Sequence, residues 1–112
     1  MSKYHSRKTK VDGITFDSRL EARRWCELKL MERAGAISDL QRQVHFELQP
    51  SYRKNGKTIR KIEYVADFVY RDNITKRTII EDTKGMQTPV YKLKKKLFEY
   101  KYPEHEIVEV KK

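Results

Sequence analysis

Val44, Phe46 and Leu48 alternate with His45, Glu47 and Gln49, the period-two pattern of a strand with one buried face. Six residues on, Asn55-Gly56 is the dipeptide that best supplies the two positive-φ positions of a type I′ turn. A long hairpin is predicted, its return strand running from about Thr58 to Tyr70. Arg71-Asp72-Asn73 then reads as a turn into a third strand from Arg77 to Lys84, which Gly85 stops. These three strands are expected to form an antiparallel meander.

The pattern changes to helical spacing on both sides of that meander. Ser18-Arg19-Leu20-Glu21 has capping-box form, Leu20, Trp25, Leu28 and Met31 recur at three- and four-residue intervals, and Gly35 is a suitable residue just past a helix end. The first helix should run from Ser18 to about Ala34, with Glu21 inside its apolar sector, facing the rest of the protein. Thr88-Pro89 resembles an N-cap followed by proline, and Tyr102-Pro103 ends the helix it begins. In that second helix Val90, Leu93 and Leu97 are expected to share the inward face. Ile107 to Val110 is a last short strand, Val11 to Phe16 a turn-containing extended piece, and Met1 to Lys10 a basic, mobile arm. The element order αβββαβ implies an α/β (α+β) fold: one domain over residues 1–112, with a central mixed sheet flanked by helices. No repeat or linker divides the chain.

Charge narrows the partner. With 26 lysines and arginines against 16 acids the formal charge is +10, which points to a polyanion, nucleic acid first. One cysteine, Cys26, excludes an internal disulfide. His5, His45 and His105 lack the spacing of a metal site or triad, so any metal here is bound by oxygen. No stretch is apolar enough to span a membrane, and the cytosol is the expected compartment.

Two acids interrupt the strand pattern. Asp67 lies within Tyr64-Val65-Ala66-Asp67-Phe68-Val69-Tyr70, its face shared with Val65 and Val69, and Asp82 lies within Ile79-Ile80-Glu81-Asp82-Thr83-Lys84-Gly85. Lys84 falls on the same strand face as Asp82. Burying unpaired carboxylates costs several kcal/mol or forces protonation, so the pair calls for a cation such as Mg²⁺ and a lysine nearby. Asp-x-Lys by itself is more often an ordinary ion pair. Glu81 points to the other strand face and is expected to be a surface or pairing charge. Glu21 fits two readings that can hold together, a capping-box residue or a ligand.

The helix acid, the strand aspartate and Asp-x-Lys in this order resemble the PD-(D/E)XK nuclease superfamily. The local form Phe16-Asp17-Ser18, Glu21, Tyr64 to Phe68 and Glu81 to Gly85 is similar to small phage-borne members. Ala66 stands where that motif often has proline. The resemblance implies a restriction-endonuclease-like core and a metal site of Asp67, Asp82, the Thr83 backbone carbonyl and Glu21. Lys84 would orient or activate the attacking water. The cofactor implied is Mg²⁺, with Mn²⁺ able to substitute.

Lys92, Lys94, Lys95, Lys96 and Lys101 can be the solvated face of an amphipathic helix. Their closeness in sequence to the acids makes Lys92, Lys95 and Lys96, with Gln87 and the arm residues Lys8 and Lys10, the expected nucleic-acid contacts. The expected activity is a Mg²⁺-dependent DNA endonuclease in a bacterial host cell, serving phage recombination or replication and meeting phage proteins of those processes. So short a chain resembles the compact Holliday-junction resolvases and implies a homodimer, with Tyr100, Tyr102 and Ile107 to Val110 at the interface. The alternatives are a non-catalytic nucleic-acid-binding module on the same fold, or a nicking or sequence-directed subunit that needs a partner.

Overall fold

The computed structural model describes residues 8–83 and 87–111. Its elements are β1 (Thr9–Val11), β2 (Ile14–Phe16), α1 (Arg19–Arg33), β3 (Ile37–Gln49), β4 (Tyr52–Lys54), β5 (Lys57–Ile59), β6 (Ile62–Asp72), β7 (Arg77–Thr83), α2 (Pro89–Lys101) and β8 (Ile107–Val110). The central sheet has the order β3-β6-β7-β8, antiparallel through β3, β6 and β7 and parallel between β7 and β8. The fold is therefore mixed α+β, a four-stranded mixed sheet flanked by two helices, with its core elements in the expected order. Among the described residues, no helix is long and apolar enough to cross a membrane.

Both helices begin as their caps direct. The Ser18 hydroxyl accepts from the Glu21 backbone N–H at 3.1 Å, and Thr88 does the same for Tyr91 at 3.1 Å, each satisfying a donor the first turn leaves open. Gly35, at φ 84°, turns the chain out of α1 in the left-handed conformation that glycine adopts without steric cost.

Two apolar clusters lie on opposite faces of the sheet. Ala22 and Leu28 of α1 pack with Phe16, Ile37, Phe68 and Tyr70; Tyr91 and Phe98 of α2 pack with Tyr64, Ala66, Val69, Ile80 and Ile107. Alternation along β6 thus changes phase at Asp67: Tyr64 and Ala66 face α2, whereas Phe68 and Tyr70 face α1. Its partner β3 changes phase at the same level, since Leu40 joins the α1 cluster and Val44, Phe46 and Leu48 join the α2 cluster. Gln43, at the switch, has φ 55°. The chain accommodates two out-of-phase half-strands by placing one residue in the left-handed region.

Several expectations change. Asp67 does not share its face with Val69, because of that phase change. The hairpin is not one continuous ribbon: β3 starts at Ile37, before its alternation becomes regular, and Pro50-Ser51 and Arg60-Lys61 separate β4 and β5 from the main sheet. Residues 9–16 form a hairpin turned at Asp12-Gly13, both with positive φ, so Lys10 belongs to a strand rather than to a loose arm. On α2 the expected inward face is reversed, with Val90, Leu93 and Leu97 exposed and Tyr91 and Phe98 buried. Two aromatic rings remove more apolar surface from water than the aliphatic stripe would, and Phe98 meets Phe46 edge-on at 5.0 Å between ring centres. Tyr102 packs on that cluster and Ile107 is buried in it, which removes both from the expected interface.

Candidate active site

Asp67 is tied to β7 through the residue next to Asp82. Its Oδ2 accepts the Thr83 backbone N–H at 2.8 Å and the Thr83 hydroxyl at 2.7 Å. The Gln43 side-chain amide donates both to Asp67 Oδ1 at 3.4 Å and to Glu21 Oε2 at 3.2 Å. One amide thus bridges a helix carboxylate and a strand carboxylate, and the Arg42 guanidinium lies 3.8 Å from the same Glu21 oxygen.

Glu21 is only 4% exposed. Burial, then the neighbouring charges of Asp67 and Asp17, pushes its carboxyl up to about 7, with Arg42 opposing. A carboxyl so placed at neutral pH wants a proton or a cation. The Ser18 hydroxyl bonds the Glu21 backbone N–H and not its carboxylate.

Asp82, 1% exposed, faces the α2 side of the sheet. Its Oδ2 accepts the Tyr64 hydroxyl at 2.6 Å, and burial followed by the Asp82 charge raises that phenol far above its ordinary value. Across the β7–β8 ladder Asp82 stands opposite Glu109. Glu109 gathers the Tyr91 hydroxyl at 2.8 Å, the Gln87 amide at 2.7 Å and the Lys95 ammonium at 3.5 Å. The Tyr91 bond, more than the lysine, holds its carboxylate below the usual range.

The expected site residues therefore divide. Glu21 and Asp67 come together at Gln43 and Thr83 bonds Asp67; Asp82 lies on the neighbouring strand, bonded to Tyr64. Lys84 lies outside the described residues. Gln87 and Lys95 are engaged with Glu109, whereas Lys8, Lys10, Lys92 and Lys96 are exposed. Glu81 is a pairing charge and not a surface one. It is 1% exposed and receives a two-pronged contact from Arg24 at 2.9 and 2.7 Å, plus the Tyr70 hydroxyl.

Among the described residues, no three Asp, Glu, His or Cys side chains are close enough together to hold a metal ion. The donor chemistry still fits a hard cation: carboxylate oxygens of Glu21 and Asp67 converge on one amide, and Glu21 is destabilised as an anion. Residue type and spacing do not single out Gln43 or the Glu109 cluster. Tyr64 was visible only as part of the Asp67 strand motif.

Residues 1–112 match the model of a family described as "Protein of unknown function (DUF1064)". The chain belongs to that family. No curated protein and no solved structure matches it.

Proposed function

We propose that this chain is a Mg²⁺-dependent endodeoxyribonuclease of the PD-(D/E)XK type, with Asp67, Asp82, Lys84 and Glu21 as its working residues. The observation that carries the reading is the pair of bonds from Thr83 to Asp67. They join the strand acid to the middle residue of Asp82-Thr83-Lys84, while the Asp82 carboxylate itself turns to Tyr64. The charge of +10 supports a polyanionic substrate.

Within this reading each residue has a chemical task. Asp67, Asp82 and the Thr83 carbonyl would hold the ion, with Glu21 as a further ligand. Bound there, Mg²⁺ or Mn²⁺ would supply positive charge to the scissile phosphate and acidity to a water. Thr83 and Gln43 fix the direction of the Asp67 carboxylate. The task left to Lys84 would be to supply positive charge to the phosphate and to orient the water that displaces the P–O ester bond, leaving one phosphate and one hydroxyl end. Tyr64 holds Asp82 from behind.

A branched substrate cut symmetrically needs two sites related by a twofold axis, which makes the working form of such an enzyme a homodimer. What remains of the expected surface is Tyr100, 87% exposed, and Val108 on the edge strand β8. A phage-derived role in recombination or replication, inside a bacterial host cell and beside the proteins of those processes, belongs to the same proposal.

The test is incubation of purified protein with linear, flapped and four-way DNA in Mg²⁺, Mn²⁺ and chelator, with light scattering on the same sample. Metal-dependent cutting is expected, with paired symmetric nicks on the junction from a dimer. A monomer that cuts linear duplex as readily would remove the resolvase reading and leave the nuclease. DNA binding without cutting in either metal would favour the non-catalytic module.

A further inference from the structure

The β4–β5 ribbon extends the β3–β6 hairpin beyond the sheet, and every residue from Pro50 to Ile62 is exposed. Ser51 to Ile62 holds Arg53, Lys54, Lys57, Arg60 and Lys61 and no acid. Its register pairs Tyr52 with Ile59, Arg53 with Thr58 and Lys54 with Lys57. Paired residues share a face and successive ones alternate, so one face carries Tyr52 and Ile59 at its base and two lysines side by side at its tip.

Like charges directly opposite each other destabilise a ribbon by a few tenths of a kcal/mol to about 1 kcal/mol. Lysines on exposed strand edges also deter sheet-to-sheet association. Charges of either sign would meet that need, and five cations without an acid select for a polyanion. The tip is braced for contact: Arg53 donates to the Gly56 carbonyl at 2.7 Å and to the Thr58 hydroxyl at 3.0 Å, and Asn55 and Gly56 take the positive φ values of a tight turn. Little order remains to be imposed on binding.

We infer that this ribbon is a second DNA-binding element, which enters the major groove of duplex DNA away from the candidate active site. The groove, about 12 Å wide, admits a two-stranded ribbon, whereas the minor groove, about 6 Å wide, does not. Tyr52 is nine residues beyond Gln43 in sequence, at most about 30 Å of extended chain, close to the helical repeat of about 34 Å. The ribbon thus grips the duplex up to one turn from the scissile phosphate. This rests on the DNA-directed reading of the site and adds to it a duplex arm of defined reach as the substrate class.

The test is anisotropy in chelator, where binding is read without cleavage, using a duplex of roughly three turns, the same sequence as RNA duplex, and vesicles containing phosphatidylserine. The Lys54→Ala/Lys57→Ala variant is compared with the native chain after circular dichroism confirms folding. The variant should lose roughly tenfold in duplex DNA affinity and about two units of salt slope. RNA duplex, whose major groove is deep and narrow, should bind more weakly in both proteins, and vesicles should not compete. Unchanged affinity and slope, or a native preference for RNA or vesicles, would overturn the inference. An unchanged slope in a chain that still cuts DNA would sink the ribbon and spare the nuclease; lost binding in a chain that never cuts would do the reverse.

Discussion

Gln43 on β3 and Asp67 on β6 meet at the level where both strands change which face they turn to which helix, with the Gln43 amide 3.4 Å from the Asp67 carboxylate. The phase change frees Asp67 from the apolar alternation around it and turns it towards Glu21. Gln43 bears the backbone cost, at φ 55°.

That cost is measurable. A non-glycine residue in the left-handed region is disfavoured by about 1 kcal/mol or more. Gln43→Ala and Gln43→Gly both lose the amide, so Gln43→Ala should be less stable than Gln43→Gly by about 1 kcal/mol in urea unfolding. Equal stabilities would show that Gln43 is not held in that conformation.

The Arg24–Glu81 pair ties α1, which carries Glu21, to β7, which carries Asp82. Removing the arginine leaves a carboxylate that is 1% exposed without its cation, at a cost of about 3–5 kcal/mol. Arg24→Met should therefore be strongly destabilised, and Arg24→Met/Glu81→Leu should recover most of the loss. A single variant within about 0.5 kcal/mol of native would mean that the contact carries no weight.

Glu21 sets a pH dependence. Its folded value, about 7, lies above the ordinary 4.5, so the folded state binds this proton more tightly than the unfolded chain does. The metal-free protein should thus lose stability from this group as pH rises from 4.5 to about 7, with no further change above. Glu21→Gln should flatten that slope. A Glu21 carboxyl ¹³C signal titrating at the ordinary value in chelator would refute the assignment.

The outward turn of Leu93 and Leu97 can be tested without any activity. Leu93→Asp and Leu97→Asp should unfold within about 0.5 kcal/mol of native, whereas Phe98→Ala should cost about 3–5 kcal/mol. The reverse order would restore the aliphatic face as the buried one.

What could be read in the sequence was what short-range chemistry determines. Ser18 and Thr88 announced their helices because capping is local, and Asn55-Gly56 announced its turn because few residues accept two positive φ values. The face of α2 was misread because α2 has two apolar sectors, and spacing does not say which one meets Phe46 and Tyr64. Whether Glu81 is a surface or a pairing charge is open in the sequence because its partner, Arg24, is 57 residues away. The bridge through Gln43 was hidden for a related reason: its signal is a backbone conformation, which the residue type does not advertise. Asp67, Asp82 and Glu21 stand out in the sequence as acids in apolar patterns, yet their division between the two sheet faces depends on the phase change at Asp67.

The central claim is that Asp67 of β6 and Asp82 of β7, with Lys84, perform hydrolysis. The most direct measurement sets Asp82→Asn and Lys84→Ala beside the native chain, reading cleavage in Mg²⁺ and DNA affinity in chelator. Asn keeps an acceptor for the Tyr64 hydroxyl, so the Asp82 variant should remain folded. Both variants should lose cleavage by at least about a hundredfold while binding DNA within a few-fold of native. Native-like cutting by either variant, or a native chain that cuts no DNA in Mg²⁺ or Mn²⁺, would contradict it.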